Sequence, residues 1–329
     1  MKLPRRQFLH LAAGAAALPV VSRLACAQTY PTQPITVVVP FAAGGSTDVA
    51  ARILSERMRS SLGQPVIIEN VAGANGSTGV GRVARAPPDG YTLVIGIWNT
   101  HVANGALYTL PYNVLDDFEP ISLIATQPYL IVAKKTLPAN DLQGLIAWLK
   151  ANSHKASQGH AGVGGGSHVA GALFQAQTGT HFQFVPYRGG GPALQDLLAG
   201  QIDIMIDPPA NSLEQVRSGN IKAYAVTAKT RLASAPDIPT VDEAGLPGFY
   251  MSLWQALFAP KGTPKDIIVK LNAASMEALA DSTVRSRLDD LGQEIYPRDQ
   301  QTPKALRIFQ KAEIDKWWPI IKAAGIKAE

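Results

Sequence analysis

The chain alternates short apolar runs with segments whose apolar residues recur at helical spacing. Ile35-Thr36-Val37-Val38-Val39 is continuous, largely β-branched and stopped by Pro40, the pattern of a strand buried on both faces of a parallel sheet. Phe41-Ala42-Ala43-Gly44-Gly45-Ser46-Thr47-Asp48 follows, and Val49, Ile53, Leu54 and Met58 then share one helical face. This predicts a strand, a glycine turn and a capped helix. The unit recurs with strands over 66–68 and 91–97, a short helix over 76–86 between them, and a strand end at Trp98-Asn99-Thr100-His101.

A second series opens with a strand over 129–133 and a helix started by Asp141, and reaches Gly162-Val163-Gly164-Gly165-Gly166-Ser167-His168. Helices over 169–177 and 192–199 and strands over 182–185, 202–206 and 222–227 complete it. Beyond Pro247-Gly248 come a strand over 253–259 and helices over 265–279, 283–291 and 303–323. Strands alternating with helices predict an α/β fold of two mostly parallel, helix-flanked sheets. The helical end is expected to pack back on the first domain, so the chain crosses between domains near 128 and near 250.

The N-terminus has a different pattern. Lys2, Arg5 and Arg6 precede a short Ala/Gly-rich apolar stretch that ends in Ala25-Cys26-Ala27, the three parts of a cleavable export signal. The stretch is about half of the roughly 20 residues needed to span a bilayer, which argues against an anchor. Arg5-Arg6 followed by Phe8-Leu9 fits the twin-arginine route, with the general secretory route left open. A lipoprotein reading would use Cys26, but Arg23 stands where an apolar residue is wanted.

Cleavage near Ala27 removes Lys2, Arg5, Arg6 and Arg23 and lowers the formal net charge from +5 to +1. No basic stripe remains to track phosphates, so nucleic acid is not an expected partner. Cys26 is the only cysteine, so the remaining chain has no disulfide, thiol nucleophile or thiolate metal site. About 302 residues are left, enough for two domains that each bury a core.

Three turns carry the candidate chemistry: 41–48, 98–101 and 164–168. Each follows the C-terminal end of an expected strand, where open α/β sheets bind ligands, and all should face one cleft. Glycines leave several backbone N–H groups unpaired, and a helix dipole favours negative charge, so such turns hold anions without a basic side chain. Ser46, Thr47 and Ser167 can add hydroxyl donors. A small carboxylate is the natural guest.

Other chemistries fit less well. Gly162-Val163-Gly164-Gly165-Gly166-Ser167 does not complete G-x-G-x-x-G, and no G-x-x-x-x-G-K-[ST] occurs, which argues against a nucleotide. The sequence has no G-x-S-x-G elbow and no H-E-x-x-H spacing, so neither an exported hydrolase nor a metal centre has motif support. His101 and His168 each follow a hydroxyl residue, but chain neighbours rarely point at one another; helix-start packing or a ligand hydrogen bond is the preferred reading. Asp203 and Asp207, four positions apart on a strand, lie about 13 Å apart, too far for a retaining glycosidase pair. Asp207 is read as a cleft residue for a ligand's ammonium or amide, and Asp203 as structural. No cofactor or metal is expected.

With these features the chain resembles a known family, the Bug receptors, which are the extracytoplasmic substrate-binding proteins of tripartite tricarboxylate transporters. The resemblance spans essentially everything after the signal. It rests on Pro40-Phe41-Ala42-Ala43-Gly44-Gly45-Ser46-Thr47-Asp48, on Gly73-Ala74-Asn75-Gly76 with Pro88-Asp89-Gly90-Tyr91-Thr92-Leu93, on Leu110-Pro111-Tyr112 with Asp117-Phe118-Glu119-Pro120, and on the turn 164–168. Val185-Pro186-Tyr187-Arg188-Gly189, Leu194-Gln195-Asp196-Leu197-Leu198-Ala199-Gly200 and Asp237-Ile238-Pro239-Thr240-Val241-Asp242-Glu243-Ala244-Gly245 complete it.

The resemblance implies a non-enzymatic, two-lobed, Venus-flytrap periplasmic binding protein of type II that closes on a carboxylated solute. The solute classes are a dicarboxylate, a tricarboxylate, an amino acid or an aromatic acid. The resemblance also implies membrane permease subunits as partners; a sensor kinase would use the same pocket. Lobe 1 is expected to hold 28–128 and 251–329, and lobe 2 129–250, in a monomer.

The resemblance implies that the carboxylate is held by Ala43 to Thr47 and by the turn ending in Ser167-His168; with the cleft turns, the expected ligand-binding residues are Phe41, Ala43, Gly44, Gly45, Ser46, Thr47, Asp48, Trp98, Asn99, His101, Gly164, Ser167, His168, Tyr187 and Asp207. Trp98, Asn99, Tyr187 and Asp207 are expected to read the variable part of the solute. Trp98-Asn99-Thr100 replaces the small Gly/Ser turn of many relatives, and Trp98 at the cleft would stack on an aromatic acid or shrink the pocket.

Overall fold

Residues 30–323 are described by the computed structural model; the export signal read at 1–27 lies outside the described residues. Two mixed sheets form, each covered by helices. The first is built from β1 (Ile35–Val39), β2 (Val66–Asn70), β3 (Thr92–Ile97), β4 (Phe118–Pro128), then β10 (Ser252–Pro260) and β11 (Glu294–Ile295). Its strand order is β11-β4-β10-β3-β1-β2. The second contains β5 (Leu130–Lys134), β6 (Ser157–His160), β7 (Gln183–Pro186), β8 (Ile204–Asp207) and β9 (Ile221–Val226), in the order β7-β6-β8-β5-β9.

The sheets are not mostly parallel. β1 runs parallel to β2 and β3, and β6 to β7 and β8, as strands joined by βαβ crossovers do. β10 is antiparallel to both β3 and β4, and β5 to both β8 and β9. The reversal arises where the chain changes sheets, because β4 and β10 are the strands that leave and re-enter the first sheet and pair with each other directly.

The sequence does not read as a strand over Phe118–Pro128 because Pro120 and Pro128 demote it. The structure accommodates Pro120 at a register shift, where Phe258 pairs with Pro120 and Leu257 with Ser122. Where the sheets join, Thr227 ties the crossing segments together: its hydroxyl donates to Met251 O (2.6 Å) and accepts from Tyr129 N (2.8 Å).

The helices are α1 (Ser46–Leu62), α2 (Ser77–Ala84), α3 (Asn104–Leu107), α4 (Leu142–Ala151), α5 (Gly166–Thr178), α6 (Gly190–Leu198), α7 (Pro209–Arg217), α8 (Lys265–Ala280), α9 (Ser282–Asp290) and α10 (Pro303–Ala323). α10 returns to the first sheet's layer. There Gln310 Nε2 donates to His101 O (3.0 Å) and Val114 O (2.8 Å), and Trp318 Nε1 donates to Val102 O (2.9 Å). One core cluster fills the first lobe and continues under α4 and α5, while a smaller one packs the α6 and α7 side of the second sheet.

Candidate functional site

Four helix N-termini meet at one cavity between the sheets. α1 starts after Gly45, α5 after Gly165, α6 after Gly189 and α7 after Pro208, and none of the four has a side-chain cap. Side-chain caps are found at two helices away from the cavity, where Asp141 accepts from Gly144 N at α4, and Asp281 from Thr283 N and Val284 N at α9, while α2, α3 and α8 also lack one. At the cavity the first-turn N–H groups have no side-chain acceptor, except Gly166 N, which donates to Asn99 Oδ1, and Pro209, which has no N–H to offer.

The cavity is open to one side, has a volume of about 110 Å³, and is lined by Gly45 with Ser46 and Thr47 of α1, Gly166 and Ser167 of α5, Gly190 and Gly191 of α6, and Asn211 of α7. Phe41, Ile97, Asn99, Tyr129, Asp207 and Leu253 contribute to its walls. No Lys or Arg lines it. Each helix end is worth up to about 2 kcal/mol to an anion in partly buried settings, and here four act on one small volume. Among the described residues no group of His, Cys, Asp and Glu is arranged to hold a metal.

The first turn is braced from behind. Gly44 takes φ +84°, a conformation that suits glycine, and its N–H donates to Asp48 Oδ2 (2.9 Å). Asp48 also accepts from Arg52 Nε (3.0 Å) and Asn70 Nδ2 (2.9 Å). Burial alone would raise the Asp48 pKa, but these hydrogen bonds hold it below the usual carboxylate range. Asp48 therefore shapes the turn and does not line the cavity. Ala43 and Gly44 are exposed and also lie off its wall.

The second turn is pinned by two imidazoles. His160 Nδ1 accepts from Gly162 N (3.3 Å) and His168 Nδ1 from Gly164 N (3.0 Å), so both rings carry their proton on Nε2. The rings stack at 4.5 Å. Ser167 Oγ accepts from Ala161 N (3.1 Å), which leaves its proton free for the cavity. His168 and Gly164 thus set the turn's shape from outside the cavity, and Gly164 packs where a Cβ would lie 2.5 Å from Leu107 Cδ1.

The two layers touch across the cleft. Asn99 Oδ1 accepts from Gly166 N (3.0 Å), and Tyr108 donates through its hydroxyl to Val163 O (2.8 Å). Tyr187 lines a neighbouring cleft of about 460 Å³ together with Phe41 and Arg188, and its hydroxyl donates to Asp196 Oδ2 (2.6 Å).

Two expected cleft residues are corrected. Trp98 is fully buried, with its ring edge-on to Trp317 at 5.1 Å. His101 is also fully buried, stacked on Phe258 at 4.2 Å with Nδ1 at 3.0 Å from the Thr100 hydroxyl. The chain leaves β3 in a π-helical turn, Asn99–Ala103, which presents Asn99 to the cavity and carries its neighbours inward. Of the expected residues, Phe41, Gly45, Ser46, Thr47, Asn99, Ser167 and Asp207 line the central cavity. Tyr129, the turn 189–191 and Asn211 line it without having been read from the sequence. Gly189-Gly190-Gly191 before a helix is the signal that could have found the third turn.

The imidazoles give the fold a pH dependence. Burial first, and then the neighbouring His160, lower the His168 pKa to about 4. The folded state therefore binds fewer protons than the unfolded one between pH 6.5 and about 4, and stability falls as pH drops through that window. His168→Gln keeps an acceptor for Gly164 N without titrating. Its denaturation profile should lack up to one proton's share of the wild-type slope, about 1.4 kcal/mol per pH unit.

Comparison with known proteins places this geometry in a family. A family model for the tripartite tricarboxylate transporter family receptor matches residues 50–326. BugT of Bordetella pertussis is 38% identical over 92% of each chain, and an Agrobacterium vitis protein from the TAR-I ttuE-ttuC' intergenic region is 41% identical over 97% of this chain and 92% of its own. Among solved structures, the periplasmic binding protein BugD superposes with a TM-score of 0.86 at 40% identity, covering 91% of this chain and 100% of its own. MatC from Rhodopseudomonas palustris, solved with bound malate, superposes with a TM-score of 0.84 at 42% identity, covering 89% and 100%. The chain belongs to the tripartite tricarboxylate transporter receptor family, the Bug receptors, and has their two-lobed fold.

Proposed function

We propose that the protein is an extracytoplasmic receptor that captures a small carboxylate between its lobes and delivers it to a membrane permease of the tripartite type. The observation that carries this reading is the convergence of four uncapped helix N-termini on a cavity with no basic side chain. Backbone N–H groups and helix dipoles there complement an anion. Two relatives support the ligand class, one solved with malate and another, from Rhodopseudomonas palustris, with adipate. Lobe 1 comprises 28–128 and 251–329 and lobe 2 comprises 129–250, with export directed by 1–27 to the periplasm. Thr227, which bonds to both crossing segments, serves as the pivot.

A thermal-denaturation screen of the processed protein against mono-, di- and tricarboxylates, amino acids, aromatic acids and neutral sugars tests this. A bound acid at 100 times its Kd should stabilise the protein by about 2.7 kcal/mol. Stabilisation by sugars with none by any acid contradicts the reading.

A further inference from the structure

The cavity that should attract an anion has a buried carboxylate in its wall. Asp207, the last residue of β8, pairs with Leu130 of β5 and is only 1% exposed. Its Oδ2 accepts from Asn211 Nδ2 at 2.8 Å, and its Oδ1 lies beside the first turn of α6, 3.4 Å from where a Cβ of Gly190 would sit. Asp203, four residues earlier, pairs with Lys134 at 2.6 Å. Asp207 forms no ion pair among the described residues, and no Lys, Arg or His lines the cavity around it.

A buried carboxylate has about four acceptor sites and is costly to leave partly satisfied. Asn211 fills one. A plain carboxylate solute in a cavity of about 110 Å³ would set a second negative charge beside Asp207, and like charges at that range oppose each other. A solute that brings its own donor removes the conflict, because its acid faces the helix ends while the donor faces Asp207.

We propose that Asp207 selects for a hydrogen-bond donor on the solute, so that the preferred ligand is a short acid with a hydroxyl or ammonium group next to its carboxylate. This rests on the carboxylate-receptor reading and narrows it. The shared chemistry is donation to Asp207, and an alcohol and an ammonium group are its two sources. Burial disfavours the charged form of Asp207 and raises its pKa, and a donor on the solute would offset that cost by stabilising the carboxylate.

The test is titration calorimetry of the processed protein with succinate, malate and aspartate, which share a four-carbon diacid frame. Wild type should bind malate or aspartate at least about tenfold more tightly than succinate, the effect of one hydrogen bond to a charged group. Asp207→Ala should bring the ratio close to one. Asp207→Asn, which keeps an acceptor and adds no cavity, should retain a preference for malate and lose one for aspartate. Each variant's thermal midpoint without ligand shows that it is folded. Succinate binding as tightly as both partners in wild type, or an undiminished preference in Asp207→Ala, overturns the inference while leaving the receptor reading intact. Failure of all three acids to bind folded wild type overturns the inference, and the receptor reading falls with it only if the thermal screen finds no acid that binds.

Discussion

Trp98→Ala should cost about 3–5 kcal/mol of folding stability, the usual price of truncating a buried aromatic, and leave the affinity of the folded protein for its solute nearly unchanged. The side chain is fully buried, and its partner is the indole of Trp317 on the C-terminal helix. Removing it opens a cavity between β3 and α10 and gives up an edge-to-face contact worth roughly 0.5–1.5 kcal/mol beyond area burial. Chemical denaturation of the variant measures the first effect and calorimetry the second. A stable variant with lost affinity would return Trp98 to the cleft.

Gly166→Ala should do the reverse. Its added Cβ would lie 2.0 Å from Tyr129 Oη and 3.2 Å from Asn99 Oδ1, so both side chains must move. Tyr129 has little room to yield, because its backbone N–H and C=O both bond to Thr227. The displaced ring would enter a cavity of only about 110 Å³, and the Asn99 bond that joins the lobes would stretch. Affinity should fall at least about tenfold, the equivalent of one lost hydrogen bond to a charged group. Helix propensity improves from glycine to alanine by about 1 kcal/mol, which partly offsets the steric cost in the ligand-free protein. Wild-type affinity in this variant would show that Gly166 does not shape the site.

Much of the fold was legible because its central strands are buried on both faces. The run at Ile35–Val39 declares itself by continuity and β-branching, and the turn after it by glycine and serine before a helical period. β4 was not legible because two prolines interrupt the pattern and only tertiary pairing shows that one of them lies at a bulge. Sheet direction was hidden for a related reason: local pattern does not reveal that β10 returns antiparallel beside β4.

At the site, Gly45, Ser46, Thr47 and Ser167 were readable because a glycine turn ahead of a helix states its own chemistry. Trp98 and His101 were misplaced because the position after a strand end looks like a cleft turn, whereas a π-helical turn rotates both inward. Tyr129 and Asn211 had no sequence signal. Tyr129 sits where the chain changes sheets, and Asn211 one turn into a helix, so only the assembled lobes bring them to the cavity.

The central claim is that backbone N–H groups at helix ends, without any basic side chain, hold a carboxylate between the lobes. Calorimetric titration of the acid that stabilises the protein most, set against the same molecule with its carboxylates converted to neutral amides, tests it most directly. The acid should bind at least about tenfold more tightly, since charge-assisted hydrogen bonds exceed neutral ones by roughly 1 kcal/mol or more each. Equal or tighter binding of the amide would contradict the account.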